Sequence, residues 1–171
     1  VVTSASNKSI QSPEQLISKP VCVQPSPNLS NMMFMNLYPN PLQVPNVRTV
    51  EGFKPIVAMV IKGECSAGVL NAAFYEKNLD KEEQGKLRVI HNTRPLPGHI
   101  LTVSNKVNDA KREALQKQLA SADPSTDKLA QAMTAAGVRG GDPSKTRWLA
   151  ANPESIKGLD QLLIQQSFGW E

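Results

Sequence analysis

The chain has 171 residues, a formal net charge of +4 and 40% hydrophobic residues, a composition that can bury the core of one domain or of two small lobes. This hydrophobic content, with 10 glycines and 2 cysteines, excludes disordered, collagen-like and disulfide-rich classes. The longest purely apolar run, Ile56 to Ile61, is far shorter than the ~20 residues that span a bilayer. Aromatic residues make up 5% of the chain and basic residues are scattered, so we expect no nucleic-acid partner.

Short apolar segments with strand character recur through the first half of the chain. Between the first two of them, Ser12, Pro13 and Gln15 carry the pattern of a capping box with a proline in the first turn, which predicts a helix start. The predicted strands are Val1–Thr3, Val21–Val23, Val47–Val50, Ala67–Leu70 and Leu87–Ile90.

Helical patterns separate these strands. The clearest helix is predicted over Phe53–Ile61, where apolar residues recur at helical spacing and Lys62 and Gly63 provide a stop. Shorter helices are predicted at Met32–Leu37 and Asn71–Lys77. This alternation favours an α/β fold with a mostly parallel sheet and flanking helices.

The pattern changes after a proline-rich loop, Thr93–His99. Ile100–Val103 is predicted as one last strand, and only helices follow it. They are predicted from about Val107 to Ser121 with an apolar face, from Asp123-Pro124 to Gly137, and from Asn152-Pro153 onward; their apolar residues include Val107, Ala110, Ala114, Leu115, Ile156, Leu159 and Leu163.

Cys22 and Cys65 each lie in an apolar segment. Buried free thiols and a disulfide between neighbouring strands both fit this placement, and the sequence does not decide between them. Cysteine and histidine spacings match no zinc pattern, so no metal site is expected. The chain carries no nucleophile elbow, no His-Glu-x-x-His and no phosphate-binding P-loop, so we expect no catalytic residue and no cofactor.

The order of three segments resembles a known family. They are KPVCVQPSPNLSN (19–31), GFKPIVAMVIKGECSAGVLNAAFYEK (52–77) and LRVIHNTRPLPGHILTVSNKV (87–107). Together with the terminal LLIQQSFGWE, they resemble the periplasmic substrate-binding proteins of phosphate, phosphite and phosphonate ABC importers. The resemblance covers nearly the whole chain.

The resemblance implies two α/β lobes joined by crossover strands, with the ligand in the cleft between them. Residues 1–5 would be a crossover strand, 6–90 the second, ligand-binding lobe, 91–104 the return crossover, and 105–171 helices that normally pack on the first lobe. The first lobe would be missing from this chain. We therefore expect a homo-oligomer or strand exchange through the surface that its absence leaves.

The anion-binding loop of that family, a Ser-Thr-Ser-Gly turn into a helix, aligns with residues 27–31. Polar donors remain there, although the same residues also suit an ordinary helix cap. Ser66 and Asn71 stand where the family carries acids, which argues against an aminophosphonate ligand. The candidate ligand-binding residues are Ser26, Asn28, Leu29, Ser30, Asn31, Asn71 and His99.

The function implied by the resemblance is that of an extracytoplasmic, non-enzymatic component of an ABC importer. It would capture a small oxyanion such as phosphate or a phosphonate and deliver it to a permease. The alternative is a ligand-sensing or interaction domain of the same fold, which would act on a membrane sensor and have no transport role.

Overall fold

The computed structural model describes residues 1–96, 100–123, 126–137, 147–150 and 152–158. The chain divides into two compact units. One contains Val1–Arg94 and the other spans Pro95–Lys157.

The first unit is built on one five-stranded sheet within the described residues. Its strands, in the spatial order β3-β2-β4-β1-β5, are β1 (Val2–Ser4), β2 (Pro20–Val23), β3 (Asn46–Thr49), β4 (Ala67–Gly68) and β5 (Leu87–Val89). β2 is parallel to β3 and β4, whereas β1 is antiparallel to β4 and β5. Four strands therefore run in one direction and β1 runs against them. The predicted mostly parallel α/β fold is confirmed.

Four α-helices and a short 3-10 helix surround this sheet. They are the 3-10 helix Pro13–Leu16, α1 (Leu29–Met35), α2 (Phe53–Ile61), α3 (Ala72–Asn78) and α4 (Lys81–Gly85). The predicted capping box forms, with the Gln15 carboxamide oxygen accepting from the Ser12 amide at 3.2 Å. Helix α4 was not predicted; it opens with a second capping box between Asp80 and Glu83.

Apolar side chains cover both faces of the sheet at its inner strand β2. Successive residues of β2 point to opposite faces, so Val21 and Val23 join one core cluster and Cys22 joins the other. The cluster containing Cys22 includes Val2, Ile56, Val57, Val60, Cys65, Leu79 and Leu87. The opposite cluster consists of Ile10, Leu16, Val21, Val23, Phe34, Ala67 and Val69. Because both faces are buried, β2 is continuously apolar rather than alternating.

A glycine in β4 lets α2 approach the sheet closely. A Cβ atom added at Gly68 would lie 2.6 Å from Cγ2 of Ile56 and 2.9 Å from Cγ2 of Val60. Real Cβ atoms do not approach other carbons so closely, so this position requires glycine for space rather than for backbone freedom.

The two cysteines form a disulfide in the core beneath α2. Sγ of Cys22 and Sγ of Cys65 are 2.03 Å apart, and both residues are buried. The bond ties the middle of β2 to the turn that precedes β4. The sequence had left open whether the two cysteines are free thiols or a disulfide, and the structure shows the disulfide.

In the described residues of the second unit, the regular secondary structure is helical. They are α5 (Asp109–Ser121), α6 (Lys128–Gly137) and α7 (Pro153–Ile156). The predicted strand at Ile100–Val103 is wrong, because these residues have no regular secondary structure. Ile100 is 54% exposed, and an extended segment without a partner strand gains no ladder of hydrogen bonds.

Two further predictions for this unit need correction. α6 begins at Lys128 rather than after Asp123, because Oδ1 of Asp127 accepts from the Ala130 amide at 2.9 Å and caps the helix. In α5 the buried residue is Leu119, whereas Ala110 and Ala114 are exposed. Pro124, Leu159 and Leu163 lie outside the described residues.

Candidate functional site

Three helices begin at the same edge of the sheet. β2, β4 and β3 are parallel neighbours, and they are followed in the chain by α1, α3 and α2 respectively. Ligands of open parallel sheets bind at the carboxyl ends of the strands. Two predicted site residues, Asn28 and Asn71, open α1 and α3 and so lie at this edge although they are far apart in sequence.

The loop between β2 and α1 is held by its own amide side chains. Oδ1 of Asn28 accepts from the amides of Ser30 at 3.0 Å and of Asn31 at 3.3 Å. Nδ2 of Asn31 donates to the Gln24 carbonyl at 3.2 Å, and the Ser26–Pro27 peptide bond is cis. The helix-cap alternative is therefore correct for the Asn28 oxygen, which is committed to α1.

Other donors on this loop have no partner within the described part of the chain. They include the hydroxyls of Ser26 and Ser30, Nδ2 of Asn28, the backbone amide of Leu29 and the buried Nε2 of Gln24. Ser26 is exposed, Asn28 and Ser30 are half-buried, and Leu29 is 44% exposed. A ligand with several acceptor oxygens would satisfy these donors together.

The loop carries no charge. No Asp, Glu, Lys, Arg or His occurs between Lys19 and Arg48. The available donors are hydroxyl, carboxamide and backbone groups, none of which titrates between acidic and mildly alkaline pH. Recognition at this loop would therefore depend on hydrogen-bond geometry rather than on a fixed positive charge.

The remaining predicted site residues differ in the hydrogen-bond donors that they present to a ligand. Oδ1 of Asn71 accepts from the amides of Ala73 at 2.8 Å and Phe74 at 3.3 Å, so only the nitrogen of this exposed carboxamide is left to donate. Asn31 is 8% exposed and lies behind the loop. His99 lies outside the described residues.

The same edge holds two features that the sequence analysis did not single out. Gly52, with φ of 87°, opens α2 without a side-chain cap. The rings of Phe53 and Phe74, on the first turns of α2 and α3, lie 5.0 Å apart at 40°. Their separation in sequence gave no signal, since only the fold brings the two turns together.

No group of three or more His, Cys, Asp or Glu residues in the described ranges could hold a metal ion. Among those same residues, no helix is both long and apolar enough to cross a membrane.

A match to a family model shows to which protein family this chain belongs. The model for the phosphonate periplasmic substrate-binding protein of ABC transporters matches residues 1–149. The chain belongs to this family. The family consists of solute-binding proteins rather than enzymes, which confirms the predicted resemblance and the non-enzymatic assignment.

Solved structures agree on the fold. XAC2383 from Xanthomonas citri bound to chloride ion matches with a TM-score of 0.59 and 16% identity, and the same protein bound to ATP matches with 0.60 and 15%. Each match covers 96% of this chain but only 63% of the XAC2383 chain. No curated protein matches the chain.

Proposed function

We propose that this chain forms the second lobe and the C-terminal helices of a solute-binding protein that captures a small oxyanion, such as phosphate or a phosphonate. The observation that carries the proposal is the set of uncommitted donors on the loop between Gln24 and Asn31. These donors lie at the carboxyl edge of a parallel sheet, in a chain of the phosphonate-binding family.

The chemistry of the loop favours an oxyanion over a cation or an apolar ligand. Hydroxyl, carboxamide and backbone N–H groups each donate to an acceptor oxygen, and the loop has no carboxylate that would repel an anion. Asn71, which caps α3 after the neighbouring strand β4, adds an amide donor. The ligands named for XAC2383, chloride and ATP, are both anions and support an anionic ligand here.

The proposed setting is extracytoplasmic, with an ABC permease as partner. The family is periplasmic, and the Cys22–Cys65 disulfide is of the kind that persists in oxidising compartments. Binding would be coupled to hinge closure between two lobes. In this scheme residues 6–90 form one lobe, and residues 1–5 and 91–104 cross between lobes.

Titration calorimetry in phosphate-free buffer tests the proposal. The titrants are phosphate, phosphite and methylphosphonate, with sulfate as the control anion. The double variant Ser26→Ala/Ser30→Ala removes two of the free hydroxyls, and Ser9→Ala, an exposed serine outside the loop, is its matched control.

We expect heat with at least one phosphorus oxyanion and none with sulfate. The double variant should weaken binding about a hundredfold or more, because each lost hydrogen bond to a charged ligand is worth roughly 1.5–3 kcal/mol and two are lost. Binding that is unchanged in the double variant would contradict the assignment of the loop. Absence of heat with every phosphorus oxyanion would favour the sensing or interaction alternative.

A further inference from the structure

Asn31 joins the two ends of the candidate loop. Its Nδ2 donates to the carbonyl of Gln24, the first residue after β2, at 3.2 Å. Its backbone amide donates to Oδ1 of Asn28, the residue that caps α1, at 3.3 Å. One residue of α1 thus fixes both the start and the end of the segment that carries Ser26 and the Asn28 carboxamide.

The burial of this carboxamide needs a reason. Asn31 is 8% exposed and is followed in α1 by Met32 and Phe34, which are buried apolar residues. Its Oδ1 is buried with no hydrogen-bond partner, which is unfavourable for a polar atom. An apolar residue would avoid this penalty. The hydrogen bond from Nδ2 to Gln24 is the contact that only the amide can make.

We propose that Asn31 is a positioning residue for the anion loop. It holds residues 24–28 in the conformation that presents the free donors, and it does so from behind, without touching the ligand. The inference rests on the proposed function for the ligand, whereas the effect on the loop is independent of any ligand. This role differs from that of Ser26 and Ser30, whose hydroxyls are free to contact an anion.

Hydrogen exchange on the free protein, followed amide by amide by NMR, tests the effect on the loop. Asn31→Ala removes the carboxamide, and Asn31→Asp keeps its shape but replaces the Nδ2 donor with an acceptor. The matched control is Asn36→Ala, which truncates the exposed C-cap of the same helix. Both Asn31 variants should raise exchange of the backbone amides of residues 30 and 31, which donate to Oδ1 of Asn28, about tenfold, while the β2 amides change little. The control should change neither.

Affinity for methylphosphonate provides the second readout. We expect it to fall about tenfold in Asn31→Ala, with phosphate and phosphite weakened by the same factor because the whole loop is misplaced. Lower affinity with unchanged hydrogen exchange in the loop would show that Asn31 contacts the ligand. If neither exchange nor affinity changes, Asn31 has no role. Either result overturns the proposal. If the parent protein binds no anion, the proposed function fails and the anion role of Asn31 fails with it, although faster exchange would still show that Asn31 fixes the loop.

Discussion

The disulfide between Cys22 and Cys65 is expected to contribute a large part of the stability of the first unit. The two cysteines are separated by 43 positions in sequence. A cross-link that closes a loop of this length lowers the conformational entropy of the unfolded chain by an amount worth about 4 kcal/mol near room temperature. Net stabilities of single domains are typically only ~5–15 kcal/mol, so this bond would supply a substantial fraction.

The perturbation is the double variant Cys22→Ala/Cys65→Ala, compared with the parent protein under oxidising and reducing conditions. Reduction opens the loop and retains both sulfur atoms, whereas the double variant also leaves a small cavity beside Val57 and Val60, which share the same core cluster. The reduced protein should therefore lose about 4 kcal/mol. The double variant should lose somewhat more, because deleting buried atoms adds a cavity term of roughly 1 kcal/mol.

Urea denaturation followed by circular dichroism measures both losses, after a thiol assay has established the redox state of each sample. A loss of this size corresponds to a fall in melting temperature of at least ~16 °C for a domain of this size. The m-value should rise on reduction, because the unfolded chain without its cross-link exposes more surface. A loss below about 1 kcal/mol in both samples would refute the reasoning, since it would mean that the unfolded chain is constrained to a similar extent without the bond.

Three further predictions concern packing, capping and ionisation. Gly68→Ala should lower the free energy of unfolding by roughly 1–3 kcal/mol, because the added Cβ has no room beneath α2. Gly85→Ala, where the space is open, is the control in the same urea titration and should not destabilise the protein. Asp80→Ala should cost about 1 kcal/mol by removing the acceptor for the Glu83 amide, and a change within error would show that the cap contributes nothing. Burial raises the pKa of Tyr38 to about 12. The contribution of Tyr38 to the free energy of unfolding is therefore fully present below the unfolded pKa of about 10 and is lost as pH rises through about 12. Ultraviolet titration of the parent protein against Tyr38→Phe should assign this late ionisation, and ionisation of Tyr38 near pH 10 would contradict the prediction.

The sequence predicted the elements whose signals are local. The helix at Phe53–Ile61 was predicted with the bounds that the structure shows, because an apolar stripe at helical spacing and a glycine stop act within a few residues. The strands around Val21–Val23 and Leu87–Ile90 were placed to within a residue or two. The apolar run of Val21–Val23 reflects burial on both faces of the sheet, whereas β5 is an edge strand in which Val89 is 39% exposed.

The errors arose where distant residues decide the outcome. Ile100–Val103 has the apolar composition of a strand, but the described structure gives it no partner. The Cys22–Cys65 bond depends on the pairing of β2 with β4, which two isolated cysteines do not reveal. For the candidate loop, the polar residues were predicted from the sequence, but the separate role of each was not. Only the hydrogen bonds show that Asn28 uses its oxygen as a cap and that Asn31 is buried behind the loop.

The position of β1 has a consequence for how this unit is joined to the rest of a protein. β1 is the first strand in sequence and pairs with the last, β5, through Val2 and Val89; the Ile90 amide continues the contact by donating to the Val1 carbonyl at 2.9 Å. The two ends of the unit therefore leave the sheet side by side. A unit with adjacent ends can be inserted into a surface loop of a host domain without separating the host's own strands. Conversely, an expression boundary placed after Ser4 would remove the strand that connects β5 to β4, so the segment 6–90 is not an independent folding unit without the three residues of β1.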